Sequence, residues 1–238
     1  MAKYIPSIPI QDCYGSVGDV TFFHRGDQCF YKKRQKPGFP GTMAQMEHQT
    51  VHLRAIAAWQ GLDPTTQKKW NDIAPGVIVH RPPYDGTTHM SGYNLFVSAY
   101  HGFATLNREH IPEPVPWEEF PVYAVDKVDS VAVEDSLLQL GFHVRLEEGI
   151  PVGRFRLLVR LQLAKPGGGR DNGKMRNFLA NGFLSAGESV ATVRVEDYRD
   201  IWDLDLPAYQ VHIRTVLLDS SSGYRTIWRP ASFLIDLP

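Results

Sequence analysis

Residues 140–163 read LGFHVRLEEGIPVGRFRLLVRLQL. Apolar residues fall at Leu140, Phe142, Val144 and Leu146, then at Phe155, Leu157, Val159, Leu161 and Leu163. Side chains of a strand alternate between its two faces, so a spacing of two puts each set on one face. Glu148-Gly149 supplies turn chemistry between the sets. The stretch therefore reads as two antiparallel strands, each apolar on one side. The same alternation continues outward. Val131/Val133 precede it, and Val190/Val193/Val195, Val211/Ile213 and Phe233/Ile235 follow less regularly. Gly167-Gly168-Gly169, Asn181-Gly182 and Ser220-Ser221-Ser222-Gly223 punctuate it. Roughly six to eight strands at this spacing predict an antiparallel β-sandwich over residues 122–238, like an immunoglobulin or fibronectin type III domain. This half has no cysteine, so the Cys…Trp…Cys pattern of true immunoglobulin domains is missing.

Upstream the pattern changes. Residues 111–121, IPEPVPWEEFP, carry four prolines. Each pushes the preceding residue toward extended or polyproline backbone, which neither a helix nor a central strand tolerates. The segment reads as a semi-rigid linker between an N-terminal part, 1–110, and the strands. The N-terminal part opens with a hairpin: Val17, Val20, Phe22 and Phe23, a turn at Arg25-Gly26-Asp27, then Cys29, Phe30 and Tyr31. That register sets Cys29 against residues 22–24 and away from Cys13, so the two cysteines are expected as thiols. Three helices follow. The first is capped by Thr42 with Gln45 as reciprocal partner, and it stops at Gly61. Met46, Leu53, Ile56 and Ala57 form its expected buried stripe. The second begins at Asp63 with Pro64 in its first turn and runs to about Ala74. The third begins at Ser91 and carries Tyr93, Leu95, Phe96, Val97 and Tyr100. The fold class is thus α+β: a β-hairpin with a three-helix module, then the sandwich.

Composition narrows function. Of 238 residues, 43% are hydrophobic and 21% charged, as in ordinary globular chains, so wholesale disorder is excluded. The net charge of −1 excludes a protein-wide electrostatic funnel for nucleic acid or anionic membrane. Residues 1–110 are nevertheless net +3 and residues 111–238 net −4. No stretch has the length of a membrane helix, and the start lacks a signal-peptide apolar run. Cytoplasmic synthesis without a signal peptide, and no membrane insertion, are expected.

Specific chemistries fail on particular residues. Gly168-Gly169-Arg170-Asp171-Asn172-Gly173-Lys174 fits G-x-x-x-x-G-K, but Met175 stands where a phosphate loop needs a hydroxyl for Mg²⁺. The expectation is an inter-strand loop. His48 and His52 share a helix face at i, i+4, yet Gln49 replaces the glutamate of a zincin, and Cys13, His24 and Cys29 lack finger spacing. Surface histidines are expected, and no metal or other cofactor. Paired acids such as Glu118-Glu119 would face opposite ways on a strand, and no G-x-S-x-G elbow occurs, so no catalytic residue is assigned. Tyr198 and Trp202 could floor a sugar-binding groove. Lys32, Lys33, Arg34 and Lys36 lie beside Phe30, Tyr31 and Phe39 and could meet nucleic acid. Trp59, Leu62, Lys68, Trp70 and Ala74 follow a rhythm similar to the back half of an HMG box, over some sixteen residues. Tryptophans at that spacing more often seal a helix–helix seam, and Trp59 and Trp70 are expected in the core.

A wider pattern joins G-x-V-G-x-V (Gly15–Val20), P-x-x-P-x-T-x-x-Q (Pro37–Gln45), W-x-x-L-x-x-x-x-Q-x-x-W (Trp59, Leu62, Gln67, Trp70) and Ser91-Gly92-Tyr93-Asn94-x-Phe96-Val97. It resembles uncharacterised proteins of Bacteroidota and of phages or mobile elements, in which a similar N-terminal module precedes a β-sandwich. The resemblance covers roughly residues 14–105 and, by layout, the C-terminal half. It implies a non-enzymatic structural or assembly protein whose partners are other protein subunits, with a virion component as the sharper expectation. Nucleic-acid binding and carbohydrate binding are the rivals.

Overall fold

The computed structural model describes residues 2–3, 15–25, 28–34, 41–80, 87–108, 110–149, 151 and 153–237 of the chain. The fold is mixed α+β, with antiparallel sheets and most strands in the C-terminal half. The chain divides into two compact units, Met1–Met46 and Glu47–Pro238.

The first unit is a four-stranded antiparallel sheet. Its strands are β1 (Ala2–Lys3), β2 (Gly15–Val17), β3 (Val20–Arg25) and β4 (Gln28–Lys33), in the order β1-β4-β3-β2. Val17 faces Val20 across a two-residue turn, where Gly18 takes φ +55°. Hairpin turns of this length need left-handed backbone, which accounts for the second glycine of G-x-V-G-x-V. His24 stands opposite Cys29 in the β3–β4 ladder, as the sequence register implies. Cys13 and the turn residues Gly26 and Asp27 lie outside the described residues. Phe22 packs near Tyr31 on one face and Phe23 on Phe30 on the other, with ring centroids 6.3 and 5.8 Å apart.

Helix α1 (Met43–Gly61) starts in this unit and continues into the next. The Thr42 N–H donates to Gln45 Oε1 (3.3 Å) and the Gln45 N–H to Thr42 Oγ1 (3.4 Å), the reciprocal cap expected. The expected buried stripe is not what the helix buries. Met46 and Leu53 are 41% and 57% exposed, whereas Ala55 is buried, with Ala58 and Trp59 half-buried beside it. The indole decides the rotation. Trp59 reaches Phe96 (5.4 Å) and Tyr93 (5.8 Å), and one large aromatic outweighs two slender aliphatics.

Helix α2 (Pro64–Ile73) is capped by Asp63, whose carboxylate accepts from the Thr65 and Thr66 N–H groups at 2.9 and 3.0 Å. Helix α3 (Gly92–Thr105) is capped by Ser91. The Gln67 amide donates to the carbonyls of Trp59 (2.9 Å) and Leu62 (3.4 Å), closing the α1–α2 turn. This is the work of the glutamine in the tryptophan motif. Trp70 is fully buried, edge-on to Phe96 (5.5 Å) and Tyr224 (6.4 Å), so it belongs to the core as expected.

The strands of the second unit form two larger sheets. One has the order β11-β8-β7, from β7 (Tyr123–Glu134), β8 (Leu137–Leu146) and β11 (Gly187–Val195). The other has the order β10-β9-β12-β13, from β9 (Phe155–Ala164), β10 (Arg176–Leu179), β12 (Ala208–Asp219) and β13 (Arg229–Asp236). A short ladder pairs β5 (Ile78–His80) with β6 (Thr87–His89). Every ladder among the described residues is antiparallel. The alternating residues of β8 and β9, Leu140 to Leu146 and Phe155 to Leu163, all lie in one core fed by both sheets. Burying such a side chain is worth about 1.5–3 kcal/mol, and a one-residue slip would turn the whole set outward. The Tyr123 hydroxyl ties the sheets by donating to the Thr215 carbonyl at 2.9 Å.

The proline-rich segment forms neither helix nor strand, as expected, and it is packed. Pro112 is buried, Trp117 lies 5.2 Å from Tyr224, and Phe120 lies 5.7 Å from Phe155. The Tyr224 hydroxyl donates to the Val115 carbonyl at 2.8 Å. Helices α2 and α3 fall in one compact unit with the strands, whereas the sequence groups them with the hairpin.

Candidate functional site

Helix α3 is apolar on most of its surface, but Asn94, Ser98, His101 and Thr105 recur at steps of three and four. That spacing makes one polar stripe. His48 and His52, one turn apart on α1, meet it. The His101 ring centroid lies 4.8 Å from that of His48 and 5.7 Å from that of His52, with His101 Nε2 3.4 Å from His52 Nδ1. The facing wall comes from the strands: Leu158 of β9, Asn177 of β10, and Arg225 and Trp228 from the β12–β13 connection. Together they line a cleft of about 410 Å³. No carboxylate is among its lining residues.

Electrostatics in the cleft follow from that composition. Burial, then the neighbouring His48, His52 and Arg225, lowers His101 to about 4. Crowding by neighbouring atoms also lowers Arg225, although the residue remains exposed to solvent. The floor of the cleft adjoins a row of like charges. In the ladder register Asn177 faces Arg160, and Arg160 directly faces Arg214, whose guanidinium lies 6.0 Å from the Trp228 ring centre. Among the described residues, carboxylates pair with Lys127, His143, Arg145, Arg154 and Arg199, and none pairs with Arg160, Arg214 or Arg225.

A second polar cluster is closed on itself. The Asp219 carboxylate, 3% exposed, accepts from Arg154 Nε (3.0 Å) and Nη2 (2.8 Å) and from the Ser221 N–H (2.8 Å). Burial pushes its carboxyl up, but these bonds outweigh burial and hold it below the ordinary value. Its bonds fix a loop end and leave little for a ligand.

The sequence candidates fall elsewhere. Lys32, Lys33 and Arg34 are exposed on and just after β4, with Lys32 Nζ 5.7 Å from the Phe23 ring centre; Lys36 lies outside the described residues. Tyr198 and Trp202 are 0% and 6% exposed. Tyr198 packs edge-on to Tyr209, and the Trp202 indole donates to the Lys174 carbonyl at 2.8 Å. Core packing claims both rings, so they offer no platform to a sugar. The glycine-rich stretch Gly168–Lys174 is an inter-strand loop, pinned where His212 Nε2 donates to the Gly168 carbonyl (2.8 Å), and a strand follows it. His48, His52 and His101 meet, but among the described residues no group of three His, Cys, Asp or Glu side chains is arranged to hold a metal ion.

Sequence reasoning paired His48 with His52 but missed His101, Arg225 and Trp228. The polar stripe on an otherwise apolar α3 was a readable signal for His101. Nothing local marks Arg225, which reaches the cleft only through the strand pairing. The chain matches no protein-family model and no curated protein sequence.

Proposed function

We propose that the chain is a non-enzymatic assembly protein that binds other protein subunits, a component of a phage or phage-like particle. Its two large sheets are read as a β-sandwich of the fibronectin type III kind. The observation that carries this reading is the strand order. Lettering β7, β8, β9, β10, β11, β12 and β13 as A, B, C, C′, E, F and G gives A-B-E on one sheet and C′-C-F-G on the other. The corner before strand F adds support. The Tyr209 hydroxyl donates to the Leu204 carbonyl (3.2 Å) and accepts from the Leu206 N–H (3.0 Å), the tyrosine corner of such domains. The step from this fold to assembly is fold analogy, joined to the likeness of layout to phage-associated proteins.

The test is composition of particles. Particles purified from cells that encode the chain should contain it, by mass spectrometry, in a fixed ratio to the major coat protein. Its absence from them overturns the virion role. The exposed Lys32-Lys33-Arg34 run favours nucleic acid as a second reading. A salt-dependent mobility shift with DNA, lost when all three are changed to Gln, would promote it.

A further inference from the structure

The row Arg160–Arg214 breaks a rule that sheets ordinarily keep. Like charges directly opposite on neighbouring strands repel and destabilise the pair. Here two arginines face each other on central strands, and the Nε atoms of both are buried without a hydrogen-bond partner. Arg160 Nη2 meets only the Asn172 carbonyl, at 3.1 Å. Neither has a carboxylate among the described residues. Beside them lies a cleft whose titratable groups are Arg225 and three histidines. Uncompensated charge of one sign, gathered around a concavity, is the arrangement that an opposite charge relieves.

We propose that this cleft binds an oxyanion-bearing ligand, a phosphate or sulfate ester. Its anionic group sits between Arg225 and His101, and its body rests on Trp228 and Leu158. Guanidinium groups recognise such oxygens through paired, charge-assisted hydrogen bonds. Asn177 and Ser98 offer neutral donors on either wall. The cleft has room for a small ester and its anion. A ligand of this charge also changes the neighbouring imidazole. His101 is faced by His48 and His52 from α1 and by Arg225 from the strand side, all of one sign when protonated. An anion among them makes protonation of His101 easier, so binding and proton uptake are linked.

The experiment titrates the full chain with inorganic phosphate and, in a separate arm, inorganic sulfate. Sodium chloride at matched ionic strength is the control. Calorimetry should give saturable binding to at least one oxyanion that chloride does not reproduce, and the tighter arm names the ester class. Arg225→Gln should weaken binding at least tenfold, whereas Arg225→Lys should retain part of it. In NMR titrations of the imidazole protons, the bound anion should shift the His101 midpoint upward. Binding no better than chloride overturns the site. So does unchanged affinity in Arg225→Gln, or a His101 midpoint that ignores the anion. Should Arg225→Gln fail to fold, Trp228→Ala replaces it, and unaltered affinity there is equally fatal. Particle composition does not enter this test, so either proposal can fail alone.

Discussion

A Cβ atom added to Gly102 would lie 2.0 Å from the carbonyl oxygen of Gly223, and one added to Gly223 would lie 2.4 Å from the Ala99 carbonyl oxygen. Helix α3 and the β12–β13 connection therefore touch backbone to backbone, with no side chain between them. Gly102→Ala should lower stability by about 1–3 kcal/mol through forced separation of the two, read as a drop in the denaturant midpoint. An unchanged midpoint would refute the close crossing. Trp70 is the second decisive residue at this scale. Trp70→Ala should cost about 3–5 kcal/mol. Its indole N–H is buried without a partner, so Trp70→Phe loses no hydrogen bond and should cost much less. Equal losses from both variants would show that the N–H is satisfied after all. His101 sets a pH dependence. Folding holds it near 4 while the unfolded chain titrates near 6.5, so unfolding takes up a proton between those values. Stability should fall as pH drops through that window, and His101→Gln should flatten the fall in melting temperature. Asp219 is lowered by folding, so its contribution is lost at still lower pH, as its carboxylate protonates.

At the scale of the element, what was legible depends on where the specifying contacts lie. The α1 and α2 boundaries could be read because their caps are local: Thr42 with Gln45, Asp63 with Thr65 and Thr66. The strands β8 and β9 could be read because one continuous core imposes a period of two on them. The facing side of α1 could not. Its rotation is set by aromatics on α3, some forty residues away, and summing apolar residues around a helical wheel gave Met46 and Leu53 too much weight. The cleft was half legible for the same reason. His48 and His52 are neighbours on one helix, but Arg225 joins them only after β12 has paired with β9. Tyr209 shows how a local signal is overlooked beside louder ones: Tyr198 and Trp202 looked like a site, while the hydroxyl that closes the corner belongs to Tyr209. Tyr209→Phe should cost about 1–3 kcal/mol, because the Leu206 N–H loses its acceptor in a half-buried corner. Chemical denaturation checks this, and a loss below a few tenths of a kcal/mol would mean that water replaces the hydroxyl without penalty.

At the scale of the whole molecule, residues from Glu47 onward should melt as one. Trp70 and Phe96 share a cluster with Tyr224, and Phe103 and Leu106 share another with Leu218. Denaturation followed by tryptophan fluorescence and by far-ultraviolet dichroism should give coincident curves. A helical signal lost well before the strand signal would separate the helices from the sheets. These shared clusters also impose an order in time on a chain that is made from its N-terminus. Tyr224 and Gly223 are added about 150 residues after Trp70, a delay of roughly 8–30 s at ordinary elongation rates. For much of that interval α2, and later α3, lacks the surface that seals it, and the nascent chain offers a sticky aromatic cluster to whatever waits at the ribosome exit. Chains stalled short of Gly223 should leave Trp70 open to a soluble quencher and should recruit a chaperone. Chains released from the ribosome, so that Tyr224 has left the tunnel, should do neither.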